Sequence, residues 1–172
     1  MEFRDPVYYA GFNFYRVVNY APADRFVMPQ ISRQALMPYS AQQMYDIVNA
    51  VDRYADFLPW CARSQILRQT ESSMEASVLM RKGKLNHSFT TRNQLTPGEN
   101  INMQLVDGPF KQLTGDWHFT QMNERSSKIE LNLKFEFSNR LVGLLIGPVF
   151  TQIANTLVDA FCQRAHQLYR HE

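Results

Sequence analysis

Cysteine and histidine are both scarce in this chain. Cys61 and Cys162 stand about a hundred positions apart, with no C-x-x-C spacing. That excludes a zinc ribbon or a dense disulfide framework. They read as thiols buried in a reducing compartment, with one disulfide as the alternative. The four histidines, His87, His118, His166 and His171, lack an H-x-x-x-H partner or carboxylates at ligand spacing, so no metal site is expected. There is no phosphate-binding glycine loop, no dinucleotide fingerprint and no G-x-S-x-G. With no acid–base pair legible, no catalytic residue is expected and no cofactor is required.

Charge of one sign is lacking as well. Eighteen Lys and Arg against sixteen Asp and Glu leave a net charge of +2. This argues against wholesale nucleic-acid binding and against a DNA partner, so a basic site must be a local patch. Long apolar runs are missing: the richest, residues 141–150, is about half of the ~20 residues that a bilayer span needs. No apolar segment follows Arg4 and Asp5 as a signal peptide would require. The expectation is a cytoplasmic protein whose membrane association, if any, is peripheral contact with the inner membrane.

The 172 residues, 45% hydrophobic and 20% charged, suffice for one domain with a sizeable core. Residues 1–27 stand apart. They are crowded with aromatics, among them Phe3, Tyr8, Tyr9, Phe12 and Phe14, yet show neither helical nor alternating spacing. They read as an extension outside the domain, which then spans residues 28–172; a translation start at Met28 is a second reading.

From there the pattern becomes regular. Residues 31–37 form a strand candidate. Ser40 with Gln43 has capping-box spacing and opens a helix over 41–49 that buries Met44, Ile47 and Val48. A second short helix covers 52–57 and Pro59 stops it. Strand candidates follow at 64–70, 74–82, 84–95 and beyond, with turns at Thr96-Pro97-Gly98-Glu99 and Asp107-Gly108-Pro109. On 84–95, His87 falls on the same face as Phe89, as a core histidine or a polar contact in a pocket. Over 128–137, Ile129, Leu131, Leu133, Phe135 and Phe137 alternate strictly with polar residues, including Glu130 and Glu136 on the wet face. Short turns between successive strands imply an antiparallel meander.

The C-terminal segment closes the design. From Pro148, residues Val149, Phe150, Ile153, Ala154, Leu157, Val158, Phe161, Ala165 and Leu168 fall on one helical stripe. Pro148 predicts a kink or restart, leaving 141–146 as a mobile flap or first turn. The fold class is therefore α+β: a curved antiparallel sheet around a long C-terminal helix.

What fills the space between them decides the function. Phe89, Met103, Trp117, Phe119, Phe135, Phe150, Ile153, Leu157 and Phe161 face it, as a solid core or as a ligand lining. An empty cavity of several hundred Å³ would cost on the order of ten kcal/mol, as much as a whole domain's stability. A large pocket must therefore hold a guest or collapse in part. Phe57, Leu58 and Trp60 surround Pro59 in a connection, either as a pocket entrance and membrane-touching tip or as a core plug. Arg81, Lys82, Lys84 and Arg92 gather about the Gly83 turn, as a contact for RNA phosphates or as a solvated face.

Met28-Pro29-Gln30-Ile31-Ser32, Pro38-Tyr39-Ser40-Ala41, Met44-Tyr45, Phe57-Leu58-Pro59, Phe89-Thr90-Thr91-Arg92-Asn93, Leu105-Val106-Asp107-Gly108-Pro109-Phe110 and Phe135-Glu136-Phe137 together resemble one family. It is the bacterial ribosome-association toxin family (RatA), in the coenzyme Q-binding branch of the START-like, polyketide cyclase-like superfamily. The resemblance runs from Met28 to about Tyr169. It implies a helix-grip fold enclosing a hydrophobic tunnel. It also implies non-catalytic binding of ubiquinone or a similar lipid in support of respiration. The alternative it carries is a toxin of a toxin–antitoxin pair that binds the 50S subunit and blocks 70S formation. It supplies no catalytic residues.

Overall fold

The computed structural model describes residues 7–9, 12–14 and 30–170. Most of the expected N-terminal extension lies outside the described residues. What is described there is a ribbon of two short antiparallel strands, β1 (Val7–Tyr9) and β2 (Phe12–Phe14), separate from the main sheet.

The domain begins with β3 (Gln30–Met37) and α1 (Ala41–Asn49). The capping box is complete: the Gln43 backbone N–H donates to Ser40 Oγ at 3.1 Å, and Gln43 Oε1 accepts from the Ser40 N–H at 2.9 Å. Two of the helix's orphan donors are thereby satisfied. A 3-10 turn (Val51–Arg53) leads into the short α2 (Tyr54–Phe57). Six strands follow: β4 (Cys61–Gln69), β5 (Ser73–Lys82), β6 (Leu85–Thr96), β7 (Asn100–Asp107), β8 (Phe110–Asn123) and β9 (Ser126–Phe137). They form an antiparallel meander, and β3 closes onto β9, giving the order β3-β9-β8-β7-β6-β5-β4. At the β6–β7 turn the Glu99 N–H donates to the Thr96 carbonyl at 3.0 Å, and Gly98 takes φ +74°, the type II geometry that glycine permits.

The C-terminal α3 (Arg140–Tyr169) is one helix of 30 residues with Pro148 inside it. Of the two expectations for 141–146, a flap or a first turn, the structure has the second: these residues are the first turns of α3. Three local features account for this. Asn139 Oδ1 caps the Val142 N–H at 2.9 Å. Pro148 and Leu144, the residue whose carbonyl loses its i+4 donor, both lie on the exposed face, where water can take that acceptor. Gly143 and Gly147 sit against the Phe137 ring, where an added Cβ would lie 3.3 Å from it, so the first turns dock closely on β9.

Because it runs through Pro148, α3 is long and apolar enough by length and composition to cross a bilayer, contrary to the count based on 141–150 alone. Its Phe150, Ile153, Ala154, Val158, Phe161 and Ala165 are buried in the core, so part of that apolarity is packing, while 33% of its most apolar 18-residue stretch is buried. Leu168, expected on the buried stripe, is exposed. Cys61 and Cys162 are both buried free thiols.

Candidate functional site

The helix does not cover the sheet evenly. It packs chiefly on β3 and β9, with a smaller contact on β6. At the covered end, Trp117 meets Phe161 edge-on at 5.3 Å between ring centroids and stacks on Phe119 at 6.2 Å. A second group joins Phe150 to Phe135 at 4.8 Å and to Phe110 at 4.9 Å. Trp117, Phe119, Phe135, Phe150, Ile153 and Phe161 are all no more than 4% exposed. These six of the nine residues expected to face the interior form its packed wall.

The other three, Phe89, Met103 and Leu157, remain half-buried. They share that state with Leu105 on β7, Ile66 on β4 and Val149 on α3, all packed against the core. On β6 and β7 these residues share the face of the buried Leu95 and Ile101. Within β4–β7 the inner-face residues that keep solvent exposure are Ile66, Phe89, Met103 and Leu105, while Met74, Ala76, Val78 and Met80 of β5 are buried, so the layers part chiefly at β6 and β7. This opening is the candidate ligand site.

Its floor follows from strand register. Met74, Asn93, Met103, Gly115 and Leu133 are neighbours across β5, β6, β7, β8 and β9. The row therefore has a glycine between a flexible methionine and a leucine, and it includes an asparagine. Asn93, Gly115 and Leu105 are not among the lining residues that the sequence alone points to. The signal available was parity: Asn93 lies two residues from Leu95 and two from Thr91, on the same face.

The loop after α2 turns inward. Leu58 is 1% exposed and Trp60 8%. The Trp60 carbonyl accepts from the Arg81 N–H at 2.8 Å. Leu58 and Trp60 therefore plug the core and do not form an open entrance; burying two large apolar groups outweighs leaving them at a rim. Phe57 stays half-buried, edge-on to Phe161 at 5.5 Å, with the Arg164 guanidinium 5.3 Å above its ring.

The basic group also divides. Arg81, Lys82 and Lys84 are exposed around Gly83 at the β5–β6 hairpin. Lys82 Nζ donates to Gln152 of α3 at 3.3 Å. Arg92, eight positions along β6 from Lys84, lies roughly 26 Å away by strand rise and pairs with Glu75 at 3.1 Å. It does not join the hairpin cluster. His171 lies outside the described residues; of the described histidines, His87 keeps inner-face parity but is exposed near the hairpin, and His118 is exposed too. His166 Nδ1 shares a 2.8 Å hydrogen bond with the Tyr39 hydroxyl, which makes it a tie between α3 and the loop before α1 and not only a surface residue.

One more surface stands out. Leu141, Leu144 and Leu145, in the first turns of α3, are 58–69% exposed. Arg140 begins the helix, and no acidic residue occurs between Glu136 and Asp159.

A curved seven-stranded sheet holding a long terminal helix is the helix-grip fold. Residues 37–162 match the family described as polyketide cyclase / dehydrase and lipid transport, and the chain belongs to that family. Within it, the ribosome association toxin RatA of Pseudomonas aeruginosa is 52% identical over 139 residues, covering 81% of this chain and 96% of that protein. This places the chain in the ribosome association toxin group. A more distant relative is a mitochondrial coenzyme Q-binding protein COQ10 of Dictyostelium discoideum, 23% identical over 152 residues, covering 86% of this chain and 73% of that protein. Among solved structures, an aromatase/cyclase from Streptomyces sp. R1128 superposes with a TM-score of 0.75 at 14% identity, covering 84% of this chain and 98% of that one. That likeness concerns the fold alone.

Proposed function

We propose that the opening between α3 and β6–β7 binds a ubiquinone-like polyprenyl quinone, and that the protein acts by holding this ligand without transforming it. The observation that carries this reading is the half-buried state of Phe89, Met103, Leu105, Val149 and Leu157 beside a solidly packed aromatic end. Adaptable apolar residues around a gap suit an isoprenoid tail. The name of the coenzyme Q-binding relative and the family's lipid-transport description support it. The half-buried residues of the gap, Phe89, Met103, Leu105, Val149 and Leu157, carry no acid or base, and the His87 imidazole on the same face of β6 lies exposed near the hairpin, so no general acid–base pair is in place among them. The exposed leucines of α3, with Arg140 and the basic hairpin nearby, suit peripheral contact with an anionic membrane from which such a lipid would be drawn. The test is lipid extraction and mass spectrometry of protein purified from its native host. A stoichiometric quinone is expected; repeated absence of any quinone or lipid rejects the reading.

A second reading rests on a different observation. A relative half identical to this chain is named a ribosome association toxin, and Arg81, Lys82 and Lys84 present exposed cations on a hairpin. On this reading the hairpin docks on RNA of the large ribosomal subunit and hinders 70S assembly. Sucrose-gradient profiles with added protein test it. A fall in 70S that Arg81→Glu with Lys84→Glu abolishes is expected; unchanged 70S at saturating protein excludes direct anti-association activity.

A further inference from the structure

The inner face of β6 carries a buried amide oxygen with nothing to bond. Asn93 is 4% exposed, and its Oδ1 has no hydrogen-bond partner. Burying an unsatisfied polar atom costs on the order of 1–3 kcal/mol, whereas a leucine of similar size would pack there freely. Its flanking inner-face neighbours Met74, Ala76, Thr91, Leu95 and Met103 include no charged group.

Beside it lies a notch. A Cβ on Gly115 would collide with Met103 Cε, so the tip of Met103 occupies the space that the glycine leaves. Methionine has three rotatable bonds and a soft thioether, and it swings aside at low cost. When it does, a space opens over Gly115 in the same cross-strand row as the Asn93 amide.

We infer that Asn93 is the polar anchor of the ligand site, bonding an oxygen of the ligand's head group seated over Gly115 in place of the Met103 tip. This rests on the reading that the gap holds an apolar ligand, and it specifies the head. An amide donates to a ring carbonyl through Nδ2 and accepts from a ring hydroxyl through Oδ1. The site therefore takes a neutral ring bearing carbonyl or hydroxyl oxygen, in either its quinone or its quinol state. A carboxylate or phosphate head would find no cation among those neighbours and would pay its full desolvation cost.

The experiment is isothermal titration of the full chain with decylubiquinone and with decylbenzene, which keeps the tail and ring but lacks the oxygens. Asn93→Leu is expected to weaken decylubiquinone about tenfold, to leave decylbenzene unchanged and to hold or raise the thermal midpoint. Gly115→Ala, which fills the notch, is expected to weaken decylubiquinone likewise, and it serves as the second variant if Asn93→Leu does not fold. Decylubiquinone binding at wild-type strength by Asn93→Leu, or by Gly115→Ala where Asn93→Leu does not fold, overturns the anchor and leaves the quinone-binding reading standing. No binding of either compound by the wild-type protein overturns both.

Discussion

Arg33 reaches from edge strand β3 to the middle of α3, where its Nε donates to the Asn155 backbone carbonyl at 3.0 Å and its Nη2 donates to the Asn155 side chain. This clamp ties the helix to the β3–β9 side of the sheet. Charge-assisted bonds of this kind contribute about 1.5–3 kcal/mol. Arg33→Ala should therefore lower unfolding stability by about 1–3 kcal/mol in a urea titration, with Arg33→Lys in between because it loses the forked geometry.

Pro148 should weaken the long helix without ending it. The helix passes through it, with the Leu144 side exposed. Pro148→Ala restores one backbone hydrogen bond and removes ring crowding, a gain of up to about 3 kcal/mol. A raised thermal midpoint with unchanged far-ultraviolet circular dichroism is expected. Gly147→Val should act the other way, because its side chain would press on the Phe137 ring.

Alkaline pH should loosen the fold. Burial, followed by the nearby Asp159, pushes the Cys162 thiol up to about 12. Unfolded, it would ionise near its ordinary value of 9.0. Above that pH the unfolded chain loses a proton that the native chain keeps, so stability falls as pH rises from about 9 towards about 12. Burial raises the Cys61 thiol as well, in the same direction. Cys162→Ala, at some cost in packing, should flatten the decline, and in the native wild-type protein Cys162 should react slowly with thiol reagents at pH 8.

The leucines at the start of α3 give a prediction separate from stability. Leu141 and Leu144 are 66% and 69% exposed, so Leu141→Ser with Leu144→Ser should change the thermal midpoint little. The pair should reduce co-sedimentation with vesicles of phosphatidylglycerol and phosphatidylethanolamine; unchanged co-sedimentation would contradict membrane contact through that face.

What the sequence made legible was mostly local. The Ser40–Gln43 capping box, the Thr96–Glu99 turn and the strict alternation of β9 each state their structure within a few residues. The gripping arrangement followed from their order, because a half-wet sheet and an apolar helical stripe must cover one another. Other features depended on distant neighbours. Proline propensity at Pro148 gave way to the Asn139 cap and the close seat on Phe137. Leu58 and Trp60 needed the packed structure to show which way their loop turned. Arg92 is close to Lys84 in sequence, but an extended strand carries it well along β6, away from the hairpin. Asn93 beside Met103 and Gly115 became visible only through register, since the three lie on three different strands.

The central claim is tested most directly by methyl-resolved NMR of the labelled protein titrated with decylubiquinone. Saturable shifts at Met103, Leu105, Val149 and Leu157, with Leu36 and Leu67 on the exposed surface unmoved, are predicted. Shifts confined to surface methyls, or none at saturating ligand, would contradict it.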